Sequence, residues 1–354
     1  MAEPARSRGR ALLLILLALA IVAVAVGYAQ LNRTFQAPGP AAASLDLKVA
    51  PGESTRAVLA RLAGLGALAH PREVELYLRL HHRTPRIEIG TYDIPAHASP
   101  ADIIRRFEEG RVVLDQITVV PGATFADFRR ELDASPDVAH SLRGKSDSEV
   151  MAALGHPGEN PEGRFFPDTY RFAPGTSDET LLAMAYERMA AMLAKVWQQR
   201  SADLPFDTPY QALTLASMVE KETGVAGERA RIAGVFVNRL RRGMRLQSDP
   251  TVIYGLGSRY DGRIHTSDLT TDTPYNSYTR SGLPPTPIAL PGLESLLAAV
   301  QPEHTDDLYF VATGQGGHHF SATLAQHDAA LRVYLERLRE QQQATARRPA
   351  AGNR

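Results

Sequence analysis

The sequence predicts an α+β protein with one apolar N-terminal transmembrane helix, a small region of strands and helices, and a mostly helical second half. Three observations predict this fold class. An uncharged apolar run follows three arginines, a strand–turn–helix pattern repeats in the first half, and apolar residues recur at helical spacing from about Asp178. The segments that we infer are 1–30 (cytoplasmic stub and transmembrane helix), 31–45 (tether), 46–150 (α+β region), 151–337 (helical domain) and 338–354 (disordered tail).

The composition excludes several classes of function. The chain has 354 residues, and its 39 Lys and Arg residues balance its 39 Asp and Glu residues. This balance gives no electrostatic reason to expect a nucleic-acid partner. The chain has no cysteine, which excludes disulfides, cysteine-ligated zinc and thiol catalysis.

The N-terminal segment indicates the compartment. Arg6, Arg8 and Arg10 precede an apolar run from Ala11 to about Tyr28, close to the ~20 residues that a helix needs to cross the bilayer core. A cleaved signal peptide, whose apolar stretch is typically ~7–15 residues long, is the alternative. The positive-inside rule places the N-terminus in the cytoplasm and the rest of the chain outside. We therefore expect a single-pass membrane protein with an extracytoplasmic body.

A weak internal repeat follows the membrane segment. LKVAPGESTRAVLARL at 47–62 resembles ITVVPGATFADFRREL at 117–132, and residues 90–110 vary the same theme. Each copy has a β-type run, a turn, a Ser or Thr that can cap a helix, and an amphipathic helix. Such units resemble LysM-type modules, which bind amino-sugar polymers. Any other small α+β unit is the alternative.

Two glutamates close the stretch LTLASMVEKETG at 213–224. At ~100° per residue, Glu222 falls within the apolar stripe of a helix, whereas Glu220 falls on the opposite side. Apolar surroundings raise the pKa of a carboxylic acid, and a raised pKa suits a general acid near neutral pH. Glu222 is therefore the candidate catalytic acid, and Glu220 is a candidate substrate contact. A solvated or ion-paired glutamate is the alternative reading of either residue.

Polar and aromatic residues in two later segments are candidate sugar contacts, because such side chains can hydrogen-bond and stack on sugars. The segment MRLQSDPTVIYG supplies Gln247, Asp249 and Tyr254, and the segment PYNSY supplies Asn276 and Tyr278. A structural turn at the Asp-Pro step is the alternative for the first segment.

We expect neither a metal ion nor another cofactor. Four histidines cluster in the last part of the chain without a recognised zinc spacing, so turn or packing roles are expected of them. They are His304, His318, His319 and His327. The chain also lacks a Walker loop, a dinucleotide-binding glycine motif and a GxSxG nucleophile motif.

Three longer motifs resemble one family. ASMVEKETGVAGERARIAGVFVNRLRRGMRLQSDPTVIYGLG (216–257), EGRFFPDTYRF (162–172) and TPYNSYTRSGLPPTPI (273–288) are similar to signatures of the YceG-like endolytic murein transglycosylases. The resemblance implies a LysM-like region, then a lysozyme-like catalytic domain, in a bacterial inner-membrane enzyme whose catalytic region is periplasmic. It also implies a catalytic glutamate followed by Ser or Thr, which Glu222-Thr223 matches and Glu220-Lys221 does not.

The resemblance implies a reaction as well. Glu222 would protonate the oxygen between MurNAc and GlcNAc in peptidoglycan glycan strands, and the 6-hydroxyl of MurNAc would close a 1,6-anhydro ring. The implied partners are nascent glycan strands, the inner membrane and peptidoglycan synthases, with cleavage ending strand elongation. A non-catalytic membrane-anchored scaffold that binds peptidoglycan and a hydrolytic muramidase are the alternatives.

Overall fold

The computed structural model describes residues 4–50 and 52–347, and it combines helices with short strands. The chain divides into two compact units. The first takes in the chain as far as Gln116 together with Arg171–Gly175, and the second takes in Ile117–Tyr170 and the chain from Thr176 onward. The boundary that we expected at 150/151 therefore lies within the second unit.

The first unit is built around a small antiparallel sheet. Its elements in chain order are α1 (Pro4–Gln36), β1 (Leu45–Val49), α2 (Thr55–Gly64), α3 (Pro71–Leu80), β2 (Gly90–Ile94), α4 (Pro100–Glu108) and β3 (Val112–Val113). The strand order is β1-β2-β3, and Leu47 of β1 lies opposite Tyr92 of β2. Both side chains are fully buried in a core that also contains Phe107 of α4.

The N-terminal helix α1 replaces part of the tether expected at 31–45. It continues to Gln36, and Leu31 and Phe35 near its end are buried in the core of the first unit. Residues 13–30 are exposed along their whole length. The segment Leu13–Gln36 is long and apolar enough to cross a membrane, a test of length and composition that a signal sequence also passes.

The predicted strand–turn–helix repeat is confirmed as local structure. β1 leads into α2 through the cap residue Ser54, and β2 leads into α4 through the cap residue Ser99. A third copy consists of β4 (Asp115–Thr118), the cap residue Thr124 and α5 (Phe125–Ala134). Caps act over three or four residues, which is why the repeat is readable in the sequence.

The second unit is mostly helical. After α5, the elements in chain order are α6 (Asp147–Ala153), β5 (Thr169–Phe172), α7 (Asp178–Gln198), α8 (Pro209–Glu222), α9 (Arg229–Arg241), α10 (Asp249–Leu256), α11 (Thr266–Thr270), α12 (Leu293–Val300), β6 (Tyr309–Ala312), β7 (His318–Ser321) and α13 (Leu324–Arg347). β4 pairs with β5, and β6 pairs with β7 in an antiparallel hairpin. The chain passes between the two units within β4 and β5.

Helix α8 lies at the centre of the core of the second unit. It begins at a capping box formed by Thr208 and Gln211, with Pro209 at its first position. Every residue from 212 to 219 is buried, and α7, α9, α10 and α12 all contact the helix. Because neighbouring helices cover α8 so completely, Val219 and Glu220 in its last turn also lie largely against protein, whereas Lys221 is exposed.

The C-terminal helix α13 extends into the segment expected to be a disordered tail. It packs on β6 and β7 and runs as far as Arg347. The expected tail began at residue 338, so its first part is helical. The part at 348–354 lies outside the described residues.

Candidate active site

Glu222 is the last residue of α8, at the edge of the buried core. The helix ends there because Thr223 takes an extended conformation, with φ −143° and ψ 135°. Val219 in the same turn is fully buried, whereas Glu222 is half-buried and Gly224 is exposed. Glu222 is therefore largely surrounded by protein but keeps some exposed surface.

The surroundings of Glu222 favour its protonated form. Burial raises the pKa of Glu222 to about 7, and the negative charge of Asp249 acts in the same direction. A hydrogen bond donated by the Ser248 hydroxyl and the positive charges of His318 and Arg239 oppose this rise. Near neutral pH both forms of the carboxyl group are populated, so the same group can donate a proton and later accept one.

A network of buried hydroxyl groups holds Ser248 in place. The Ser248 backbone N–H donates to the Ser277 hydroxyl at 2.9 Å, and the Thr251 hydroxyl donates to the Ser248 carbonyl at 2.7 Å. The hydroxyls of Ser277 and Thr251 lie 2.8 Å apart. Ser248 occupies the N-cap position of α10, yet its hydroxyl makes no cap bond and contacts Glu222 instead. The network thereby fixes the donor that faces Glu222.

Tyr278 and Asp249 form a hydrogen-bonded pair beside this network. The Tyr278 hydroxyl donates to an Asp249 carboxylate oxygen at 2.6 Å. Burial, then Asp249, then the charge of Glu222 raise the pKa of Tyr278 well above its usual range, so Tyr278 remains a donor. Tyr278 is half-buried and Asp249 is exposed. Two residues predicted from the sequence thus lie close enough to Glu222 to interact with its charge.

Arg239 is a buried cation that affects Glu222 through its charge. Its Nε donates to the Leu308 carbonyl at 2.6 Å, and one terminal nitrogen donates to the Leu246 carbonyl at 2.7 Å. These backbone carbonyls hold the guanidinium group without neutralising it. Its positive charge therefore remains available to lower the pKa of Glu222.

Glu228 and His318 form a hydrogen-bonded pair near the turn that follows Glu222. One oxygen of Glu228 accepts the His318 backbone N–H at 2.8 Å, and the other lies 2.8 Å from His318 Nδ1. The Thr223 hydroxyl donates to Glu228 at 3.5 Å and accepts the Val225 N–H at 2.9 Å. The pair connects the β6–β7 hairpin to this turn. In the described part of the chain, no group of three or more His, Cys, Asp or Glu residues is placed to hold a metal ion.

Comparison with known families matches residues 47–333, most of the chain, to the YceG-like family. The chain belongs to this family. The matched range contains Glu222 and each of the residues described above as its neighbours.

Curated relatives of this YceG-like chain share one name. The chain is 38% identical over 175 residues to the endolytic murein transglycosylase of Bacillus subtilis (strain 168), covering 49% of this chain and 48% of that protein. It is 27% identical over 311 residues to the endolytic murein transglycosylase of Streptococcus pneumoniae serotype 2 (strain D39 / NCTC 7466), covering 78% of this chain and 56% of that protein. The chain therefore spans about half the length of the curated relatives it matches.

A solved structure has a similar fold. The yceG-like protein from Listeria monocytogenes superimposes with a TM-score of 0.51 at 27% sequence identity. The likeness covers 81% of this chain and 98% of the Listeria chain. The two-unit YceG-like chain described above is thus similar to nearly all of that solved chain.

The structure corrects the position that we expected for Glu220. Its side chain is only 6% exposed, and one oxygen lies 3.5 Å from a terminal nitrogen of Arg229. The other oxygen accepts the Gly292 backbone N–H at 2.9 Å. The expectation assumed that α8 has a solvent-facing side, whereas neighbouring helices cover this helix throughout its middle. Through Arg229 and Gly292, Glu220 therefore links the N-terminal ends of α9 and α12 to the C-terminal end of α8.

A cavity of about 510 Å³ lies beside Glu220 and Lys221. Lys221 and Gly122 both line this cavity, and the Lys221 ammonium group donates to the Gly122 carbonyl at 3.1 Å. Glu222 is not one of the residues that line this cavity. The cavity is thus associated with the Glu220 side of the last turn of α8.

The other predicted sugar contacts differ in their exposure to solvent. Asn276 is buried rather than exposed, and its amide holds a loop by donating to the Thr271 carbonyl at 2.7 Å. Tyr254 is half-buried and donates to Glu162 at 3.1 Å. Gln247 is exposed and has a left-handed backbone conformation with φ +50°. Of these three, Gln247 is the most open to a ligand.

Glu162 is a second buried glutamate, which our reading of the sequence missed. It accepts the Phe125 backbone N–H and the Tyr254 hydroxyl, both at 3.1 Å. Burial raises the pKa of Glu162 to about 7, while its hydrogen bonds oppose the rise. The residue is 5% exposed, so protein covers it more completely than it covers the half-buried Glu222. The motif EGRFFPDTYRF, which it begins, was the available signal.

Proposed function

We propose that this chain is an endolytic lytic transglycosylase that cleaves the glycan strands of peptidoglycan, with Glu222 as its acid and base. The observation that carries the proposal is the half-buried carboxyl group of Glu222, whose pKa is about 7 and whose contact is the Ser248 hydroxyl. Within the described residues, Glu222 has no ion-pair partner. The name shared by the curated relatives supports both the substrate and the class of reaction.

The chemistry requires one carboxyl group in two successive roles. Protonated Glu222 donates to the oxygen that joins MurNAc to GlcNAc, and the bond from this oxygen to the MurNAc anomeric carbon breaks. Positive charge develops at that carbon. Ionised Glu222 then takes the proton of the MurNAc 6-hydroxyl as the 6-oxygen bonds to the anomeric carbon. The products are a 1,6-anhydro-MurNAc end and a free GlcNAc hydroxyl, and no water is consumed.

The residues around Glu222 support both roles. The Ser248 hydroxyl can stabilise the ionised form of Glu222 that exists between the two proton transfers. The positive charge of Arg239 acts in the same direction without forming a contact. We assign substrate contacts to Gln247 and Asp249, which are exposed, and to Tyr278, which is half-buried and bonded to Asp249 beside Glu222, whereas the hydroxyl of the half-buried Tyr254 is bonded to Glu162.

We infer that the first unit is a LysM-like glycan-binding region and that the second is a lysozyme-like catalytic domain. We also infer that α1 anchors the chain in the bacterial inner membrane, with its N-terminus in the cytoplasm and both units in the periplasm. The arginines before α1 support this orientation. The direct continuation of α1 into the first unit supports action near the membrane, where nascent strands and peptidoglycan synthases would be the partners. Cleavage there would end strand elongation.

Analysis of the products tests the proposed reaction. Purified peptidoglycan should be digested with the 354-residue chain in detergent, because Leu31 and Phe35 of α1 belong to the core of the first unit. Mass spectrometry is expected to find anhydro-MurNAc ends. Reducing ends that have gained water would identify a hydrolytic muramidase instead, and binding without cleavage would identify a scaffold. Either result contradicts the proposal.

A further inference from the structure

The exposed part of α1 ends where the first unit begins. Residues 13–30 are exposed, and Leu31 is the first residue of the helix to enter the core. A helix rises about 1.5 Å per residue, so the ~30 Å hydrocarbon core of a bilayer takes up ~20 residues. Counted from Ala11, which follows the third of the N-terminal arginines, this span ends near Gln30. The helix therefore has no spacer between a bilayer and the first unit.

Helix α3 runs antiparallel to the end of α1. Phe35 stacks on Tyr77 with 3.8 Å between ring centroids. About two turns earlier in α1, the Tyr28 hydroxyl lies 3.3 Å from Nε2 of His81, the residue just after α3. In a chain that α1 anchors as proposed, Tyr28 precedes the calculated end of the hydrocarbon core, so the C-terminal end of α3 would lie at the depth of the membrane–water interface. The interfacial layer is several ångströms thick on each side of that core.

The residues at the C-terminal end of α3 are of types that suit the membrane–water interface. Leu80 is 54% exposed, although it is a large apolar side chain. The His81 ring lies 4.2 Å from the Tyr77 ring and 6.0 Å from the Tyr28 ring, an aromatic cluster of the kind found at membrane interfaces. His82 is exposed and has a φ of +50°, a conformation that glycine usually provides after a helix. An imidazole therefore occupies an outward-facing turn where glycine would be less strained.

We propose that Leu80, His81 and His82 form a foot of the first unit that lies in the interfacial layer of the bilayer beside α1. The inference rests on the proposed anchoring by α1 and adds a second contact with the same membrane. Lipid would cover the apolar surface of Leu80, and the imidazoles would donate hydrogen bonds to lipid oxygens. One helix alone leaves the first unit free to tilt, whereas a helix and a foot together restrict its tilt on the membrane.

Single cysteines can test the foot, because the natural chain contains none. Three variants of the 354-residue chain, Leu80→Cys, Leu65→Cys and Val22→Cys, should be labelled with an environment-sensitive fluorophore and reconstituted into phospholipid vesicles. Leu65 is the matched control, because it is 50% exposed and close in sequence to Ala67, which lines one cavity together with Gly39 beyond the end of α1. Val22 reports on α1 itself. Quenching is then measured with lipids brominated either near the headgroup or near the bilayer centre.

The inference predicts a different result for each position. The probe at Leu80 should lose most of its emission to lipids brominated near the headgroup, and the probe at Val22 should lose most of its emission to lipids brominated near the centre. The probe at Leu65 should keep its emission with both lipids. Quenching at Val22 without quenching at Leu80 would overturn the foot but leave the anchor intact. A blue-shifted but unquenched probe at Leu80 would indicate a protein partner and would also overturn the foot. No quenching at Val22 would remove the proposed anchor and the foot together.

Discussion

The last turn of α8 places two glutamates in contrasting environments. The Glu220 carboxylate lies beside Arg229 and accepts a backbone N–H from Gly292. The Glu222 carboxyl group receives a hydroxyl hydrogen bond from Ser248, and its neighbouring charge includes the negative Asp249. Both side chains lie largely within protein, so burial alone does not distinguish them. The difference lies in their partners: Arg229 is 3.5 Å from Glu220, whereas no described cation forms an ion pair with Glu222.

Glu162 sharpens the same comparison from another part of the second unit. Its pKa is about 7, as for Glu222, because burial dominates in both cases. Its oxygens, however, are occupied by Phe125 and Tyr254 in a closed environment. A raised pKa is therefore insufficient to mark the acid. The acid must also be able to meet a substrate, and Glu222 is half-buried whereas Glu162 is almost fully buried.

The largest effect is expected from Glu222→Gln. The amide matches the neutral acid in shape but cannot donate and recover the proton, so the rate of glycan cleavage should fall about 10²–10⁴-fold. Sedimentation of the variant with insoluble peptidoglycan should be unchanged, because the contacts to the strand remain. Cleavage at the wild-type rate would remove Glu222 from the mechanism.

A smaller loss of activity is expected from Ser248→Ala. A hydrogen bond to a charged group is worth about 1.5–3 kcal/mol, so its removal should slow cleavage about 10–100-fold. The matched control is Ser277→Ala, which disturbs the hydroxyl network one contact further from Glu222. Initial rates of glycan cleavage for the two variants would compare them. A larger loss in the control than in Ser248→Ala would show that the network matters for folding rather than for Glu222.

Glu220→Gln should reduce stability more than it affects chemistry. The change removes the charge opposite Arg229, which is itself mostly buried, and we expect a loss of about 1–3 kcal/mol in the free energy of unfolding. Arg229 keeps its contact with Glu294, which limits the loss. Denaturant unfolding measures the stability, and cleavage is then compared per folded molecule. A folded but inactive variant would transfer a catalytic role to Glu220.

Glu162→Gln should change how stability depends on pH. The pKa of Glu162 is about 7 in the folded chain against an ordinary 4.5, so the folded state binds more protons between these values. Stability from this group is therefore full below about pH 4.5 and falls as the pH rises to about 7. The glutamine does not titrate, so the variant does not lose this stability as the pH rises. The Tm of the variant minus the Tm of the wild type should therefore increase from pH 5 to pH 8. A constant difference in Tm across this range would argue against a neutral Glu162.

The predictable parts of this molecule are those that depend on neighbours in sequence. Caps such as Ser54, Ser99 and Thr124 identify the starts of helices, because each acts on a residue three positions later. The placement of Glu222 at a helix end beside apolar residues followed from the same local reasoning. The uncharged run of α1 was also visible, but its packing from Leu31 onward depends on α3 and could not be seen.

The unpredicted parts depend on contacts between distant residues. The helical angle placed Glu220 in solvent, but Arg229 and Gly292 meet it there because other helices cover α8. Ser248 resembles an ordinary cap before Asp-Pro, and the sequence does not reveal that its hydroxyl contacts Glu222 instead. His318 was expected to have only a turn or packing role. Its pairing with Glu228 links residues 90 positions apart, and no local pattern marks such a contact.

The pH dependence of kcat/KM tests most directly whether burial makes Glu222 the acid. Only protonated Glu222 can begin the reaction, so kcat/KM should fall as the pH rises through about 7. His318→Gln removes a positive charge and should move the fall to higher pH, whereas Asp249→Asn removes a negative charge and should move it to lower pH. A wild-type fall near pH 7 with these opposite shifts is the predicted result. A fall centred near the ordinary 4.5, or shifts in the same direction, would contradict the assignment of Glu222.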